Sequence, residues 1–287
     1  MEVTFADVSF SYDDKKVKDK TYALKNINVQ LDSNKIHGII GPIGSGKTTF
    51  LELMNGITKP TKGTVIVGEY SLTAKRNNFN FNKFRKEVGL VYQFPEKQFF
   101  CSTVAEEISF SIKNLNKKRF GLKSKITKAL KMVGLDETYI YRSPFLLNGG
   151  EKRRIAIASV LISNPKLLIL DEPTIGLDEK SKKTLMRLLK TLKTKYNKTI
   201  IIVTHDVDML FDIVDDVTVL NNGELIKHGS KLDVFKEVEL LDKNNCPVPS
   251  IIRFERIVFD KTGVDLGYCE SMNTLVRRIA KKVIKDE

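Results

Sequence analysis

The sequence predicts an α/β fold with a parallel-sheet core, an N-terminal antiparallel β part, a helical subdomain and a C-terminal extension. Three observations predict this fold. Apolar stretches of strand length alternate with amphipathic stretches of helix length after residue 166, and such βαβ alternation is typical of a parallel sheet. A glycine-rich turn links a short apolar strand to a helix near residue 41. The 287 residues, 41% of them hydrophobic, can bury a substantial core.

The N-terminal part is predicted to begin with an antiparallel hairpin. Residues 3–9 and 23–31 alternate apolar with polar side chains around a lysine-rich turn at 13–20, so one face of the hairpin is expected in water. Residues 37–40 form a short apolar run that predicts a buried strand, and a helix is expected from Lys47 to Asn55. Further strands are predicted at 64–67 and 88–91.

Helical periodicity dominates residues 94–162, which we therefore predict to be a helical subdomain, with helices at 103–114, 123–133 and 151–162. The parallel-sheet part is predicted to follow it. Its strands are expected at 167–170, 200–203 and 217–220, with a helix near 180–195 and a short helix after Asp206.

The pattern breaks beyond Lys236. Asparagines and prolines at 244–249 indicate a linker, and residues 273–285 predict a closing helix. We therefore expect a main domain at 1–243 and a C-terminal extension at 244–287, a candidate dimerisation element. The closing helix has an apolar face that could dock on a partner or fold back on its own domain, formed by Leu275, Val276, Ile279 and Val283.

Composition excludes some classes of protein. No run approaches the roughly 18 consecutive apolar residues of a membrane span, and no signal-peptide pattern opens the chain, so we expect a cytoplasmic location. Cys101, Cys246 and Cys269 lack zinc-ligand spacing and are expected to be reduced thiols. The formal charge of +13 fits either an anionic partner or a solvated lysine-rich surface. The even spread of lysines favours the solvated surface.

A phosphate-binding motif lies between the predicted strand at 37–40 and the following helix. The run Gly41, Pro42, Ile43, Gly44, Ser45, Gly46, Lys47 and Thr48 fits G-x-x-x-x-G-K-[ST]. Glycines let backbone N–H groups close around phosphate oxygens, and the helix N-terminus favours an anion. Lys47 is expected at the β/γ-phosphates and Thr48 on Mg²⁺, with Thr49 added to the nucleotide-binding group.

Two carboxylates end the apolar strand at 167–170. Asp171 is expected to hold the hydration shell of Mg²⁺, and Glu172 to orient or deprotonate the attacking water. A helix cap before Pro173 is the alternative for this pair.

The order of motifs resembles that of the ABC ATPases, which are P-loop NTPases. The residues that carry the resemblance over 1–236 are the phosphate-binding run, Gln93, the run Leu147, Asn148, Gly149, Gly150 and Glu151, the pair Asp171 and Glu172, the run Gly176, Leu177 and Asp178, and His205. The run at 147–151 is similar to the family's signature, which is normally Leu-Ser-Gly-Gly-Gln.

The resemblance implies an ATPase that binds ATP and Mg²⁺ and forms a head-to-tail dimer. In such a dimer the signature of one subunit covers the γ-phosphate held by the other. It further implies that Gln93 contacts Mg²⁺ and the membrane partner, and that His205 contacts the γ-phosphate and the attacking water. Asp178 would cross the dimer interface or simply cap the next helix, and Tyr12 would stack on adenine or pack in the sheet.

Two residues depart from the family signature, because Asn148 stands where serine is usual and Glu151 where glutamine is usual. Asn148 can still donate a hydrogen bond to phosphate, but its longer amide changes the geometry, and Glu151 adds negative charge. We expect the composite site that uses this signature to be the less active of the pair.

Residues 94–100, Phe-Pro-Glu-Lys-Gln-Phe-Phe, and 141–145, Tyr-Arg-Ser-Pro-Phe, resemble the ATPases of energy-coupling factor transporters, in the second of their two paired types. The resemblance implies an importer of a vitamin or metal ion at the cytoplasmic face of the membrane. Its partners would be a second ABC ATPase, in a heterodimer or homodimer, a transmembrane coupling protein and a small substrate-binding membrane protein. Phe94, Phe99 and Phe100 would line the groove for the coupling protein, although at least one is expected in the core.

Two other classes of protein share part of this motif set. A soluble ABC ATPase acting on the ribosome or on nucleic acid usually carries two such domains or a long insertion, which this chain lacks. A small-molecule kinase would lack the signature and His205. Nucleic acid is therefore not expected as a partner.

Overall fold

The computed structural model describes residues 1–13, 21–75, 79–113, 121–269 and 272–283. The strands are β1 Val3–Phe10, β2 Leu24–Leu31, β3 Ile36–Ile40, β4 Lys62–Val67, β5 Tyr70–Thr73, β6 Val88–Val91, β7 Leu167–Asp171, β8 Thr199–Val203, β9 Asp216–Asn221 and β10 Glu224–Ser230. The helices are α1 Lys47–Met54, α2 Phe81–Glu87, α3 Val104–Lys113, α4 Leu122–Met132, α5 Gly149–Leu161, α6 Glu179–Tyr196, α7 Val207–Ile213, α8 Lys231–Phe235, α9 Val238–Lys243, α10 Ser250–Thr262 and α11 Met272–Val283.

The N-terminal part is a four-stranded sheet in the order β2-β1-β4-β5. The predicted hairpin is confirmed, because β1 and β2 pair antiparallel from Val3 opposite Leu31 to Phe10 opposite Leu24. Apart from Asp13, the predicted turn at 13–20 lies outside the described residues. Strand β5 was not predicted, since four residues are too few to show a clear alternation.

The core is a six-stranded sheet in the order β10-β9-β3-β8-β7-β6. Strands β9, β3, β8, β7 and β6 are parallel neighbours, whereas β10 pairs antiparallel with β9. The predicted α/β fold with a parallel-sheet core is therefore confirmed. Parallel strands place their carboxyl ends at one edge, where the loops after β3, β6, β7 and β8 meet.

Alternate side chains of the core strands pack on opposite faces of the six-stranded sheet. Leu167, Ile169 and Ile201 pack with α1 and the four-stranded sheet, while Leu168 and Ile200 pack with the helices of the other face. Phe50 of α1 stacks on the ring of β1 residue Phe5 at 4.1 Å. Helix α1 is thereby fixed between the two sheets, which holds the loop before it in place.

The helices predicted between residues 94 and 162 are present as α3, α4 and α5, with short 3-10 turns at Pro95–Gln98, Glu137–Tyr141 and Pro144–Leu146. The predicted linker at 244–249 lies between α9 and α10, and these two helices were not predicted. No side chain of the segment before α10 caps it. Instead, Asp208 of α7 accepts hydrogen bonds from the N–H and hydroxyl of Ser250 at 2.6 and 2.9 Å. That cap lies 42 residues away and gives no local signal.

The closing helix folds back on its own domain. Leu275 is buried and Ile279 packs against the core, but Val276, predicted on the same face, is 62% exposed. The Val283 side chain is outside the described part. The division of the chain at residue 243 stays a prediction. Among the described residues, every helix is too short or too polar to cross a membrane.

Candidate functional site

The phosphate loop, residues 41–48, connects β3 to α1 and depends on glycine at two positions. A Cβ on Gly41 would lie 2.1 Å from the carbonyl oxygen of Leu220, the last residue but one of β9. A Cβ on Gly46, whose φ is +99°, would lie 2.6 Å from the carbonyl oxygen of Ala23. The backbone at Leu220 and Ala23 therefore leaves no room for a side chain at Gly41 or Gly46. Pro42 is partly buried, while Ile43 and Gly44 form its exposed tip and Ser45 is buried.

Lys47 closes the phosphate loop from inside. Its Nζ donates to the carbonyl oxygens of Gly41 and Pro42, both at 2.8 Å, and approaches Ser45 Oγ at 3.4 Å. Burial lowers the pKa of Lys47, while the negative charge of Glu172 opposes that shift. The ammonium group thus lies among loop carbonyls and close to the carboxylates. Thr48 follows in the first turn of α1 and is exposed.

Tyr12 lies beside α1. Its hydroxyl is 2.9 Å from Thr49 Oγ1 and donates to Glu52 Oε2 at 3.2 Å. Its ring packs edge-on against Phe10 at 4.7 Å, yet the residue remains 62% exposed. Sheet packing therefore occupies one side of the ring, and the other side is open to a planar ligand. Thr49 is buried, so its hydroxyl contacts Tyr12 rather than solvent.

Glu172 and His205 face each other at the ends of β7 and β8. His205 Nε2 lies 3.5 Å from Glu172 Oε1, and the His205 N–H donates to Glu172 Oε2 at 3.4 Å. Glu172 is buried, and its Oε1 has no hydrogen-bond partner among the described residues. Its φ of +47° is unusual for a side-chain-bearing residue and is held by an N–H bond to the Val203 carbonyl at 2.8 Å.

Asp171 is half-buried, and its pKa is raised, first by burial and then by the charge of Glu172. Gln93 is exposed just after β6, whose Val91 stands opposite Leu170 of β7. In the described part of the chain, no group of three or more His, Cys, Asp or Glu side chains could hold a metal ion. Mg²⁺ commonly takes one or two carboxylates together with water and phosphate oxygens, so Thr48, Gln93 and Asp171 are a suitable oxygen donor set.

The signature segment, residues 147–151, begins α5 with a capping box. Asn148 Oδ1 accepts from the Glu151 N–H at 2.9 Å, and Glu151 Oε2 accepts from the Asn148 N–H at 3.1 Å. Tyr139 also donates to Glu151 at 2.6 Å, which holds the pKa of Glu151 below its ordinary value. Asn148 and Glu151, the two residues that depart from the usual signature, are therefore hydrogen-bonded to each other in this chain. Leu147 is buried, whereas Asn148 and Gly149 are exposed.

Asp178 caps α6 and lies beside the signature segment. Its carboxylate accepts from the Ser181 N–H and hydroxyl, both at 2.9 Å, and its pKa is lowered by these bonds. A Cβ on Gly150 would lie 2.4 Å from Ser181 Oγ. The starts of α5 and α6 are therefore in close contact. Helix capping, the alternative interpretation of Asp178, is present in the structure.

The aromatic residues after Gln93 have different environments. Phe99 packs partly buried against the core, whereas Phe100 is 61% exposed and lies edge-on to Phe110 at 4.7 Å. Phe94 adopts a φ of +51°.

Arg153 and Cys246 lie near this site, although neither was predicted to belong to it. Arg153, one turn into α5, is buried and pairs with Glu96. Cys246 is close enough to Lys47 that the ammonium group moderates the pKa of the thiol, which burial raises. Neither has a sequence signal, because arginine is usually a surface residue and Cys246 lies 199 residues after Lys47.

Comparison with known proteins identifies the family of this chain. A sequence profile described as ABC transporter matches residues 24–175. The energy-coupling factor transporter ATP-binding protein EcfA2 of Enterococcus faecalis is 40% identical over 259 residues, which cover 90% of this chain and 89% of the relative. The corresponding protein EcfA3 of Oenococcus oeni is 38% identical over 283 residues, 98% of this chain and 97% of the relative.

Two solved structures are also similar. The cbiO1 protein of Clostridium perfringens, described as part of the ABC transporter complex cbiONQ, has a TM-score of 0.73 and 33% identity over 89% of this chain and 96% of that one. A dimeric ATP-binding cassette in a post-hydrolysis state with ADP and Pi has a TM-score of 0.68 and 28% identity over 79% and 98%. The chain therefore belongs to the ABC transporter family, among its energy-coupling factor transporter ATP-binding proteins.

Proposed function

We propose that this chain is the ATP-hydrolysing subunit of an energy-coupling factor importer, and that it drives uptake of a vitamin or metal ion through separate membrane proteins. The observation that carries this function is the grouping of Lys47, Asp171, Glu172 and His205 at the carboxyl ends of three adjacent parallel strands. The relatives named above are transporter subunits, so a ribosomal or nucleic-acid function is not favoured.

The residues around the phosphate loop would bind and orient the nucleotide. Backbone N–H groups of the phosphate loop, other than Pro42, and the N-terminus of α1 would surround the phosphates, while Lys47 would exchange its loop carbonyls for phosphate oxygens. Tyr12 offers its open face to the adenine ring. Thr48, Gln93 and Asp171 would hold Mg²⁺, which supplies charge neutralisation when bound.

Glu172 would act as the general base. Its unpartnered Oε1 can accept a proton from water, and His205, 3.5 Å away, can orient that water and contact the γ-phosphate. The strained backbone at Glu172 and its burial fix the carboxylate in one position, which is what proton abstraction requires.

The signature segment would act on the partner subunit's nucleotide in a head-to-tail dimer, and the similar cassette was solved as a dimer. Gly149 leaves its surroundings open, and the N-terminus of α5 favours an anion. The capping box occupies Asn148 Oδ1, so only its amide nitrogen could reach phosphate. We infer from this geometry that the composite site using Asn148 is the less active one. Unchanged turnover in Asn148→Ser would contradict that inference.

The partners would be a second ABC ATPase, most simply as a heterodimer, a transmembrane coupling protein and a small substrate-binding membrane protein, at the cytoplasmic face of the membrane. Phe100 and Phe110 form an exposed aromatic pair next to the Gln93 loop, and we assign them to the contact with the coupling protein. Phe99 is partly buried and packs against the core instead. Residues 244–287 would contribute to dimerisation.

ATP binding and hydrolysis by purified Lys47→Ala test this function. We expect nucleotide binding and turnover to be lost, because no other ammonium group lies inside the phosphate loop among the described residues. Lys25→Ala removes an exposed lysine paired with Glu224 and should behave as the wild type. Wild-type turnover in Lys47→Ala would refute the assigned site.

A further inference from the structure

Arg153 is one of the largest fully buried side chains of the protein, with 1% of its surface exposed. It lies two residues after the signature segment, on the inner side of α5. Burying a guanidinium group is unfavourable unless it is paired, and burial lowers the pKa of Arg153. A buried arginine at this place therefore calls for a structural or functional reason.

The guanidinium group of Arg153 joins three segments. Its Nη2 donates to Glu96 Oε1 at 3.3 Å, and its Nε lies 3.2 Å from Glu96 Oε2. The same Nη2 donates to the carbonyl oxygen of Ile175 at 3.1 Å. Glu96 belongs to the Gln93 segment, residues 93–98, and Ile175 belongs to the Asp178 loop, residues 173–178. Arg153 itself belongs to the signature helix.

Other contacts bring the same segments together. A Cβ on Gly176 would lie 3.7 Å from the Phe94 ring, so the Asp178 loop packs against the Gln93 segment. At the start of α5, Gly150 meets Ser181 of α6. Arg153 and Glu96 are the charged groups at the centre of this contact, and within the described residues the Nη1 and Nε of Arg153 have no hydrogen-bond partner. Packing around Arg153 thus determines how these segments lie relative to one another.

We infer that Arg153 is a positioning residue, which holds the Gln93 segment and the Asp178 loop in register with the signature helix. This inference rests on the proposed function, because these three segments are the ones that would contact Mg²⁺, the membrane partner and the partner ATPase. When α5 and the helices packed against it move, the contacts of the Arg153 guanidinium group move Glu96 and Ile175 with them. ATP binding at the phosphate loop does not use Arg153, whereas closure into a hydrolytically competent arrangement does.

The test compares Arg153→Met with Arg154→Met in the purified complex, or in the purified chain if no complex forms. Arg154 is a matched control, because it lies on the same helix but donates only to the Gly150 and Gly134 carbonyls. We expect Arg153→Met to lower kcat about tenfold or more while the Kd for ATP changes by less than about twofold, since misplaced groups slow chemistry without removing ground-state binding. Arg154→Met should keep kcat within about twofold.

A second pair of variants covers the case in which Arg153→Met does not fold. Glu96→Gln keeps the shape of the carboxylate but removes its negative charge. Arg153→Lys keeps the positive charge but loses the planar guanidinium group. We expect each variant to lower kcat. Combining Glu96→Gln with Arg153→Lys should lower kcat by less than the product of the two single effects, because both changes act on one contact.

Equal kcat in Arg153→Met and Arg154→Met, or strictly multiplicative effects of Glu96→Gln and Arg153→Lys, would overturn the inference. Failure of the proposed function looks different. In that case no membrane protein would co-purify with the wild-type chain. The separate effects of Arg153→Met on kcat and on the Kd for ATP could still be measured on the chain alone.

Discussion

Glu172→Gln changes one buried atom and keeps the shape of the side chain. Glu172 is 7% exposed, its Oε1 lies 3.5 Å from His205 Nε2, and its backbone is fixed at a φ of +47°. An amide keeps the size and most contacts of the carboxylate but cannot take a proton from water. It also removes the charge that helps to raise the pKa of Asp171, so that pKa should move back towards its ordinary value. Asp171, the Mg²⁺ ligand that we propose, is therefore preserved.

General-base catalysis typically contributes about 10²–10⁴ in rate. At about 1.4 kcal/mol for each factor of ten, loss of the base raises the activation free energy by about 3–6 kcal/mol. Nucleotide binding should be retained, because the groups around the phosphates, led by Lys47, are unchanged. The variant should therefore accumulate as a closed dimer that contains ATP.

The assay is steady-state phosphate release, together with size-exclusion chromatography in Mg-ATP. We expect turnover to fall at least about 100-fold and an ATP-dependent dimer peak to appear. Glu224→Gln, an exposed carboxylate on β10, is the control and should keep wild-type turnover. Full ATPase activity in Glu172→Gln would refute the role of Glu172 as the base.

Asn148→Ala removes the cap of α5, and we expect the free energy of unfolding in urea to fall by about 0.5–2 kcal/mol, with a smaller loss in Asn148→Ser. Burial lowers the pKa of His37 below 6.5, so below pH 6.5 the unfolded chain binds a proton that the folded chain does not. The free energy of unfolding should therefore fall as the pH drops from 6.5 towards the pKa of His37 in the folded chain. In urea titrations at several pH values, His37→Gln should reduce this decline. An unchanged dependence of the unfolding free energy on pH would contradict the prediction. Gly46→Ala should abolish ATP binding in calorimetry, because the added Cβ would lie 2.6 Å from the Ala23 carbonyl oxygen. Gly44→Ala is the control and should retain binding, because open space surrounds its Cβ. Equal losses of binding in the two variants would contradict the steric argument.

The parallel-sheet core could be predicted from sequence because its strands are buried on both faces. Each is a short run such as Ile200–Val203, and polar or glycine residues bound it. Helix α10 could not be predicted, because its cap comes from Asp208 in another helix. Strand β10 could not either, since its side chains are only partly buried and alternate weakly.

The phosphate loop, Gln93, the pair Asp171 and Glu172, and His205 could be found because each follows or ends a strand, in a motif order that resembles that of the ABC ATPases. The pairing of Asn148 with Glu151 was not foreseen. The sequence shows two departures from a signature, whereas the structure shows one reciprocal capping box. The role of Arg153 could not be predicted, because it depends on burial of the side chain and on its pairing with Glu96, 57 residues away.

The most direct test of the account is to purify the tagged chain from membranes of the source cells in mild detergent and to identify its companions by mass spectrometry. We predict recovery of a second ABC ATPase and a multi-span membrane protein. Recovery of ribosomes or nucleic acid from the soluble fraction, with no membrane protein, would contradict it.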